Sequence, residues 1–140
     1  IDEGDYRGGH SRADIEDLLA FLDDNFVAWS QTMAPAIMGN ADRPELAAEL
    51  QQSFCRADPT VARQFARVTF LSDTRAQLPL LTLPTLVLQC SNDAIAPDQV
   101  GQYVHEAIPG STLVRMQASG HCPNMSAPHE TIAAIRAFLG

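Results

Sequence analysis

The sequence predicts an α/β protein in which four helices precede two parallel strands with their helices. Up to about residue 74, apolar residues recur every three or four positions, as on the buried face of a helix. Beyond that point, short apolar runs alternate with segments of helical periodicity, which is typical of parallel α/β units. At 140 residues the chain has the length of one ordinary domain.

One long apolar stripe predicts the first two helices. The stripe runs through residues 15–37, and Asn25 is expected to divide it into two helices. The second helix is expected to end at Gly39, because glycine readily adopts the left-handed conformation found after a helix. The stripe consists of Ile15, Leu18, Leu19, Leu22, Phe26, Trp29, Met33 and Ile37.

Capping signals predict two more helices before residue 74. The third is expected to begin at Asp42, with Glu45 completing a capping box. The fourth is expected to begin with Asp58 as its cap and Pro59 at its first position. The residues expected to face inward are Leu46, Leu50, Phe54, Val61, Phe65 and Val68.

The remainder of the chain is expected to alternate strand and helix. Strands are predicted at residues 85–90 and 111–116, with helices beginning near Pro97 and Ser126. The helical residues expected to face inward are Val100, Tyr103, Val104, Ile108, Ile132, Ile135 and Phe138. Both strands look buried on two faces and therefore require neighbours. The sequence thus predicts either a missing N-terminal half or self-association through an uncovered strand edge.

Charge and cysteine content restrict the possible partners and the compartment. The formal net charge is −8, so nucleic acid and anionic membranes would be repelled and neither is expected as a partner. No apolar run approaches the roughly 20 residues of a membrane span. The three cysteines have no paired spacing, which favours reduced thiols and a cytoplasmic location over a disulfide framework.

The segment Gly9-His10-Ser11-Arg12-Ala13 looks like the Gly-x-Ser-x-Gly turn of a serine nucleophile. Such a turn follows a buried strand and needs small residues so that the backbone can bend sharply. No strand pattern precedes Ser11, and arginine follows it. Ser11 is therefore predicted to be the N-cap of the first helix, with Asp14 at the third helical position.

Asp93 and His121 are the candidate catalytic residues. Each follows one of the two predicted strands, and parallel strands present their carboxyl ends at the same edge of a sheet. A carboxylate at Nδ1 fixes the tautomer of an imidazole and stabilises its protonated form, so the two residues suit an orienting acid and a general base. Asp93 would also suit a plain turn.

Two alternatives use the cysteines near this pair. Cys122 follows His121 directly, but sequence neighbours on an extended loop point apart, which disfavours a Cys–His nucleophile pair. A metal site built from Cys90, Asp93, His121 and Cys122 would lack the short paired spacings of zinc sites. No metal and no cofactor are expected.

An apolar ligand pocket is a second interpretation of part of the helical stripe. Phe26, Trp29 and Met33 are either plain helix-packing core or the roof of an apolar pocket, and periodicity does not separate the two. Cys122 and Met125, just past the histidine, are weaker pocket candidates.

Several segments together resemble the α/β-hydrolase superfamily, in particular its RsbQ-like branch, which is related to strigolactone- and karrikin-receptor hydrolases. The segments are "DRPELAAEL", "FCRADPTVARQFAR", "FLSDTRAQL", "LQCSNDAIAP" and "SGHCPNMSAPHETI". The resemblance implies the C-terminal portion of such a fold. Residues 11–73 would be a helical cap, residues 74–140 the last two strands with their helices, and residues 1–10 a linker from a missing N-terminal half.

The resemblance also implies a function. A serine nucleophile and an oxyanion hole would lie upstream of Ile1, so this chain alone is expected to be inactive. The complete protein would hydrolyse a small apolar ester or a lactone-like ligand. Alternatively, it would act as a ligand sensor that regulates a bacterial stress-response sigma factor pathway through a partner phosphatase.

Overall fold

The computed structural model describes residues 1–140. Its elements in chain order are α1 (Arg12–Asp24), α2 (Phe26–Met38), α3 (Pro44–Arg56), α4 (Pro59–Leu71), a 3-10 helix (Arg75–Leu80), β1 (Leu86–Ser91), α5 (Asp98–Ala107), β2 (Thr112–Ser119), α6 (Pro123–Ser126) and α7 (Pro128–Leu139). The predicted order of four helices followed by strand, helix, strand and helix is confirmed. The 3-10 helix and α6 are additions that the apolar periodicity did not predict.

Ser11 begins α1 through a reciprocal capping box, as predicted. Its hydroxyl oxygen accepts a hydrogen bond from the Asp14 amide at 3.1 Å, and the Asp14 carboxylate accepts one from the Ser11 amide at 2.9 Å. Hydrogen bonds from Ser11 lower the pKa of Asp14 because they favour its charged form. Asn25 ends α1, and its side chain caps α2, so the predicted division of the stripe is confirmed.

The start of α3 was predicted wrongly, whereas the start of α4 is confirmed. Asp58 accepts hydrogen bonds from the amides of the first turn of α4, including that of Thr60 at 2.8 Å. By contrast, α3 begins at Pro44, with Arg43 at the cap position and no side-chain cap. Proline disfavours helical geometry in the residue before it and suits the first helical position itself, so Pro44 rather than Asp42 sets the boundary.

The buried face of α4 also differs from the prediction. Val61, Phe65 and Val68 are 62%, 72% and 62% exposed, while Ala66 is buried and Ala62 packs against the same cluster. The small alanines allow α4 to lie close to its neighbour α1. The larger apolar side chains therefore fall on the adjacent, more exposed face of α4.

The two strands form one parallel pair. Leu86 lies opposite Thr112 at the start of the pair, and Ser91 lies opposite Ser119 at its end. The register shifts between Gln89 and Ser91, because β2 accommodates extra residues there as a bulge. As a result β2 continues three residues past its predicted end.

Burial in this half is lower than the sequence predicted. Of the 14 strand residues, six are half-buried and four are exposed; the four buried ones are Gln89, Cys90, Met116 and Ala118. Ile132 and Ile135 of α7 are exposed, contrary to prediction, whereas Ile108 at the end of α5 is buried. Each strand has a single strand neighbour here, so its faces are only partly covered. None of the helices is long and apolar enough to cross a membrane.

Three apolar clusters stabilise the chain. One joins α1, α2 and α4 around Leu22, a second joins the end of α2 to α3 around Met38, and a third lies between the strands and α7 around Met116. The second cluster also contacts Cys122 and Met125, beyond the end of β2. The helical layer α1–α4 therefore packs directly on the loop that follows β2.

Candidate active site

Asp93 and His121 lie next to each other at the carboxyl edge of the parallel pair, as predicted. His121 Nδ1 is 2.8 Å from Asp93 Oδ2 and 3.1 Å from Asp93 Oδ1. The Asp93 side chain is 7% exposed, whereas that of His121 is 42% exposed. Because an ionised carboxylate only accepts hydrogen bonds, Nδ1 carries the proton and Nε2 remains a free acceptor.

The Asp93 carboxylate is fixed by its own loop. Oδ1 accepts hydrogen bonds from the amides of Ile95 at 2.8 Å and Ala96 at 3.0 Å. These hydrogen bonds are typical of an aspartate in a turn, which was the other interpretation of Asp93. They leave Oδ2 facing the imidazole. Asp93 therefore both forms the turn and orients the histidine.

Buried Gln89 supports the same loop from within β1. Its side-chain amide donates to the carbonyl of Ala96 at 2.9 Å and to that of Cys90 at 3.0 Å. Its side chain fills the space beside Gly101 of α5, where a methyl group would lie 2.2 Å from Gln89 Oε1. The sequence analysis did not predict a role for Gln89. A polar residue within the apolar run of β1 was the signal that could have indicated it.

The path of the His121 loop requires glycine at position 120. Gly120 has a φ of 84°, and a β-carbon there would lie 1.9 Å from the carbonyl oxygen of Met38. Its amide donates to the Ser91 carbonyl at 2.9 Å, and the amide of His121 donates to the Ile37 carbonyl at 2.8 Å. The end of α2 thus lies against the backbone that carries the histidine.

Glu130 of α7 supports the bulge of β2 just before this loop. Its carboxylate oxygens accept from the amides of Gln117 at 2.6 Å and Ala118 at 3.1 Å. These bonds satisfy donors on β2 that the strand pairing leaves free. The sequence offered no signal that would have distinguished Glu130 from a solvated helical glutamate.

An apolar cavity of about 470 Å³ adjoins the pair, with 14 hydrophobic residues among the 17 that line it. His121 lines the cavity, as do Phe26, Trp29 and Cys122 of the predicted pocket residues. The exposed Val61 and Phe65 of α4 also line it, which explains the orientation of that helix.

Two of the predicted pocket residues are not at the cavity. Met33 and Met125 pack against the cluster around Met38 instead. A second cavity of about 350 Å³ lies beside Tyr6 and contains neither Asp93 nor His121. A third cavity, of about 490 Å³, is lined by Asp93 but not by His121. The apolar cavity is thus the one that the imidazole lines.

The cysteines near the pair are poorly suited to act as nucleophiles. Burial, and secondarily the negative charge of Asp93, raises the pKa of the Cys122 thiol. The same causes raise the pKa of Cys90, which lies within β1. A raised pKa keeps a thiol protonated near neutral pH, and the protonated form is a weak nucleophile. All three cysteines are free.

An acid and a histidine at the carboxyl ends of adjacent parallel strands, next to an apolar cavity, form an arrangement that also occurs in α/β hydrolases. The chain belongs to the α/β-hydrolase family, whose sequence model matches residues 4–135. Its helices and two-stranded parallel sheet accordingly represent part of that fold.

Known relatives include both esterases and receptors. The chain is 31% identical to the strigolactone esterase D14 of Arabidopsis thaliana, covering 99% of this chain and 52% of the relative. It is 30% identical to the karrikin insensitive 2 receptor IA of Petunia hybrida, covering 96% of this chain and 50% of the relative. The chain thus spans about half the length of these curated relatives.

Among solved structures, a hydrolase from Oleispira antarctica superposes with a TM-score of 0.93 at 40% sequence identity. That match covers 100% of this chain and 52% of the solved chain. The helical layer and the strand pair therefore occur together, in this arrangement, within a larger hydrolase.

Proposed function

We propose that this chain supplies the acid and the histidine of a Ser–His–Asp triad, the serine and the oxyanion hole belonging to the rest of the hydrolase fold. The observation that carries the proposal is the 2.8 Å contact between His121 Nδ1 and the buried Asp93 carboxylate. It leaves Nε2 available to a nucleophile while the imidazole also lines the apolar cavity. Family membership supports the same reaction class.

In the proposed mechanism His121 moves one proton in each half-reaction. Nε2 takes the proton of the serine hydroxyl as its oxygen attacks the carbonyl carbon, and then gives it to the departing alkoxide as the C–O bond breaks. A water molecule then gives a proton to Nε2 and its oxygen attacks the acyl group. Return of that proton to serine releases the acid. Asp93 stabilises the protonated imidazole throughout.

The cavity defines the substrate class that we propose. A cavity of about 470 Å³ with a mostly hydrophobic lining suits a small apolar ester or a lactone-like ligand. Phe26 and Trp29 supply aromatic walls, and the polar residues at the cavity are Ser53, Thr69 and His121. In this interpretation residues 11–73 are the cap that roofs the site, residues 74–140 belong to the hydrolase core, and residues 1–10 are the linker. The free thiols support a cytoplasmic location.

Hydrolysis of a chromogenic short-chain ester by the complete hydrolase tests the triad. Asp93→Asn and His121→Ala should each lower kcat by about 10,000-fold, because the base is lost or held in the wrong tautomer. His129→Ala is the matched control, since His129 is exposed on α7. Turnover that survives the His121 substitution would rule out the triad. The 140-residue chain by itself should not hydrolyse the ester.

A second candidate function is ligand sensing. A relative with 30% identity is named as a receptor, which favours a site that binds and signals rather than one that only turns over substrate. In the RsbQ-like version of this proposal, the partner is a phosphatase that activates a stress-response sigma factor. Calorimetry with and without ligand measures affinity for the candidate phosphatase. A ligand-dependent change in affinity with negligible multiple turnover supports sensing, and rapid turnover without any partner supports the esterase.

A further inference from the structure

The histidine loop contacts the end of α2 and the link between α2 and α3 at several points. Residues 37–43 of the helical layer run beside residues 119–126, which contain His121. The backbone of His121 is already bonded to the Ile37 carbonyl. Two side chains from the link between α2 and α3 add contacts on either side of His121.

Asn40 holds the residue that precedes the glycine turn. Its side-chain amide donates to the carbonyl of Ser119 at 3.0 Å and to that of Met38 at 2.6 Å. One amide group therefore bonds both the end of β2 and the end of α2. Asn40 is half-buried, so water competes only partly for these carbonyls.

Arg43 holds the other end of the same loop. Its guanidinium donates to the carbonyl of Ser126 at 2.7 Å and to Asn40 Oδ1 at 2.5 Å. The two side chains thus form one connected unit, which we call the latch. The latch contacts the loop at Ser119 and at Ser126, two and five residues from His121.

The stability of α3 does not explain why an arginine occupies position 43. It lies at the N-terminal end of α3, where the helix dipole disfavours a positive charge, and its side chain makes no cap bond. The Arg43 guanidinium instead donates hydrogen bonds to Asn40, its partner in the latch, and to Ser126 of the histidine loop. A charged donor at a half-buried carbonyl makes a stronger bond than a neutral one.

The contact between the two segments is also close at the backbone level. A β-carbon on Gly39 would lie 2.9 Å from the α-carbon of Gly120. The segments therefore cannot slide past each other without displacing the histidine loop. Since α2 also carries Phe26 and Trp29 at the cavity wall, one helix connects the cavity to His121.

We infer that Asn40 and Arg43 are positioning residues: the latch holds His121 in register with Asp93, so that the placement of the helical layer sets the alignment of the catalytic base. The inference rests on the proposed function, because it concerns the same imidazole. The Asp93 carboxylate takes its hydrogen bonds from its own loop, at the amides of Ile95 and Ala96, and the acid loop meets the helical layer through the apolar packing of Ile95 against the cluster around Met38.

The test uses Arg43→Met in the complete hydrolase, with Arg56→Met as the control. Arg56 is an exposed arginine on the same helix, so the two variants lose the same charge. We expect Arg43→Met to lower kcat about 10- to 100-fold, because small misplacements of a catalytic group have effects of this size. KM should stay within about twofold, since the cavity wall is unchanged. Arg43→Lys, which keeps a cationic donor for Ser126, should recover part of the loss.

A spectroscopic measurement separates this inference from the proposed function. With ¹⁵N-labelled histidine, the imidazole signals of His121 report the Nδ1–H tautomer whether or not the protein turns over an ester. Arg43→Met should broaden or shift these signals, and Arg56→Met should not. Unchanged His121 signals and kcat in Arg43→Met would overturn the latch, as would an equal loss in Arg56→Met. If His121→Ala leaves turnover intact while Arg43→Met still perturbs the imidazole, the triad fails and the latch stands.

Discussion

The loop that carries Asp93 and the loop that carries His121 leave neighbouring parallel strands at the same edge, but different parts of the molecule hold them. The acid loop is fixed by amides two and three residues away and by Gln89 within β1. The histidine loop has one backbone bond to β1 and takes its other contacts from the end of α2 and from Arg43. The hydrogen bonds that position Asp93 thus come from its own loop and strand, whereas those that position the His121 loop come largely from the helical layer.

This difference matters because the two residues must meet within hydrogen-bond distance. The Asp93 carboxylate is fixed by hydrogen bonds within its own loop. The alignment of the pair therefore depends on where the histidine loop places the imidazole. A movement of the helical layer would break hydrogen bonds of the histidine loop, whereas the acid loop shares an apolar contact with that layer through Ile95. Substitutions in the two loops should accordingly differ in the size and the kind of their effects on stability and turnover.

The largest effect is expected for Gly120→Ala in the histidine loop. The new methyl group would lie 1.9 Å from the Met38 carbonyl at a φ of 84°. The combined overpacking and left-handed strain should cost roughly 2–5 kcal/mol in the free energy of unfolding. Hydrolysis by the complete protein should be lost with it, since α2 and the loop would have to separate.

Gly110→Ala is the matched control, because Gly110 has a similar φ of 71° but nothing within 4 Å. Its cost should be only the left-handed strain, about 1–2 kcal/mol. Urea denaturation of both variants measures the difference. Equal destabilisation would show that contact with α2 does not constrain the histidine loop.

A smaller effect is expected for Gln89→Leu in the acid loop. The substitution removes the Gln89 donor from two carbonyls, those of Cys90 and Ala96. An unsatisfied buried carbonyl typically costs about 1–3 kcal/mol, and the loosened turn should also reduce kcat. Gln99→Leu on exposed α5 surface is the control and should be nearly neutral. Comparable stability for the two variants would contradict the role of Gln89.

The smallest effect is expected outside both loops, for Ser11→Ala. Loss of the capping hydroxyl should cost about 1 kcal/mol. Because the capping bonds lower the pKa of folded Asp14, their contribution is present above the ordinary carboxylate value of 3.8 and is lost as the pH falls through the lower folded-state value. The stability gap between wild type and variant should therefore narrow in acid. A gap that widens below this range would exclude the capping box as its source.

Much of the chain was predictable from short-range patterns. The division at Asn25, the caps at Ser11 and Asp58, and the adjacency of Asp93 and His121 all follow from residues close in sequence or from the parallel-strand rule. The face of α4 was not predictable, because its alanine and valine stripes both have helical spacing. Only the packing against α1 decides which stripe is buried.

The sequence by itself determined the order of elements, two helix caps and the pairing of an acid with a histidine, because each depends on local geometry or on the direction of two strands. The tertiary structure decided what surrounds that pair: the cavity wall at Val61 and Phe65, the support from Glu130, and the latch of Asn40 and Arg43. These contacts join residues far apart along the chain. Local periodicity carries no information about such distances, so only the folded arrangement of α2, α4 and α7 around the strands reveals them.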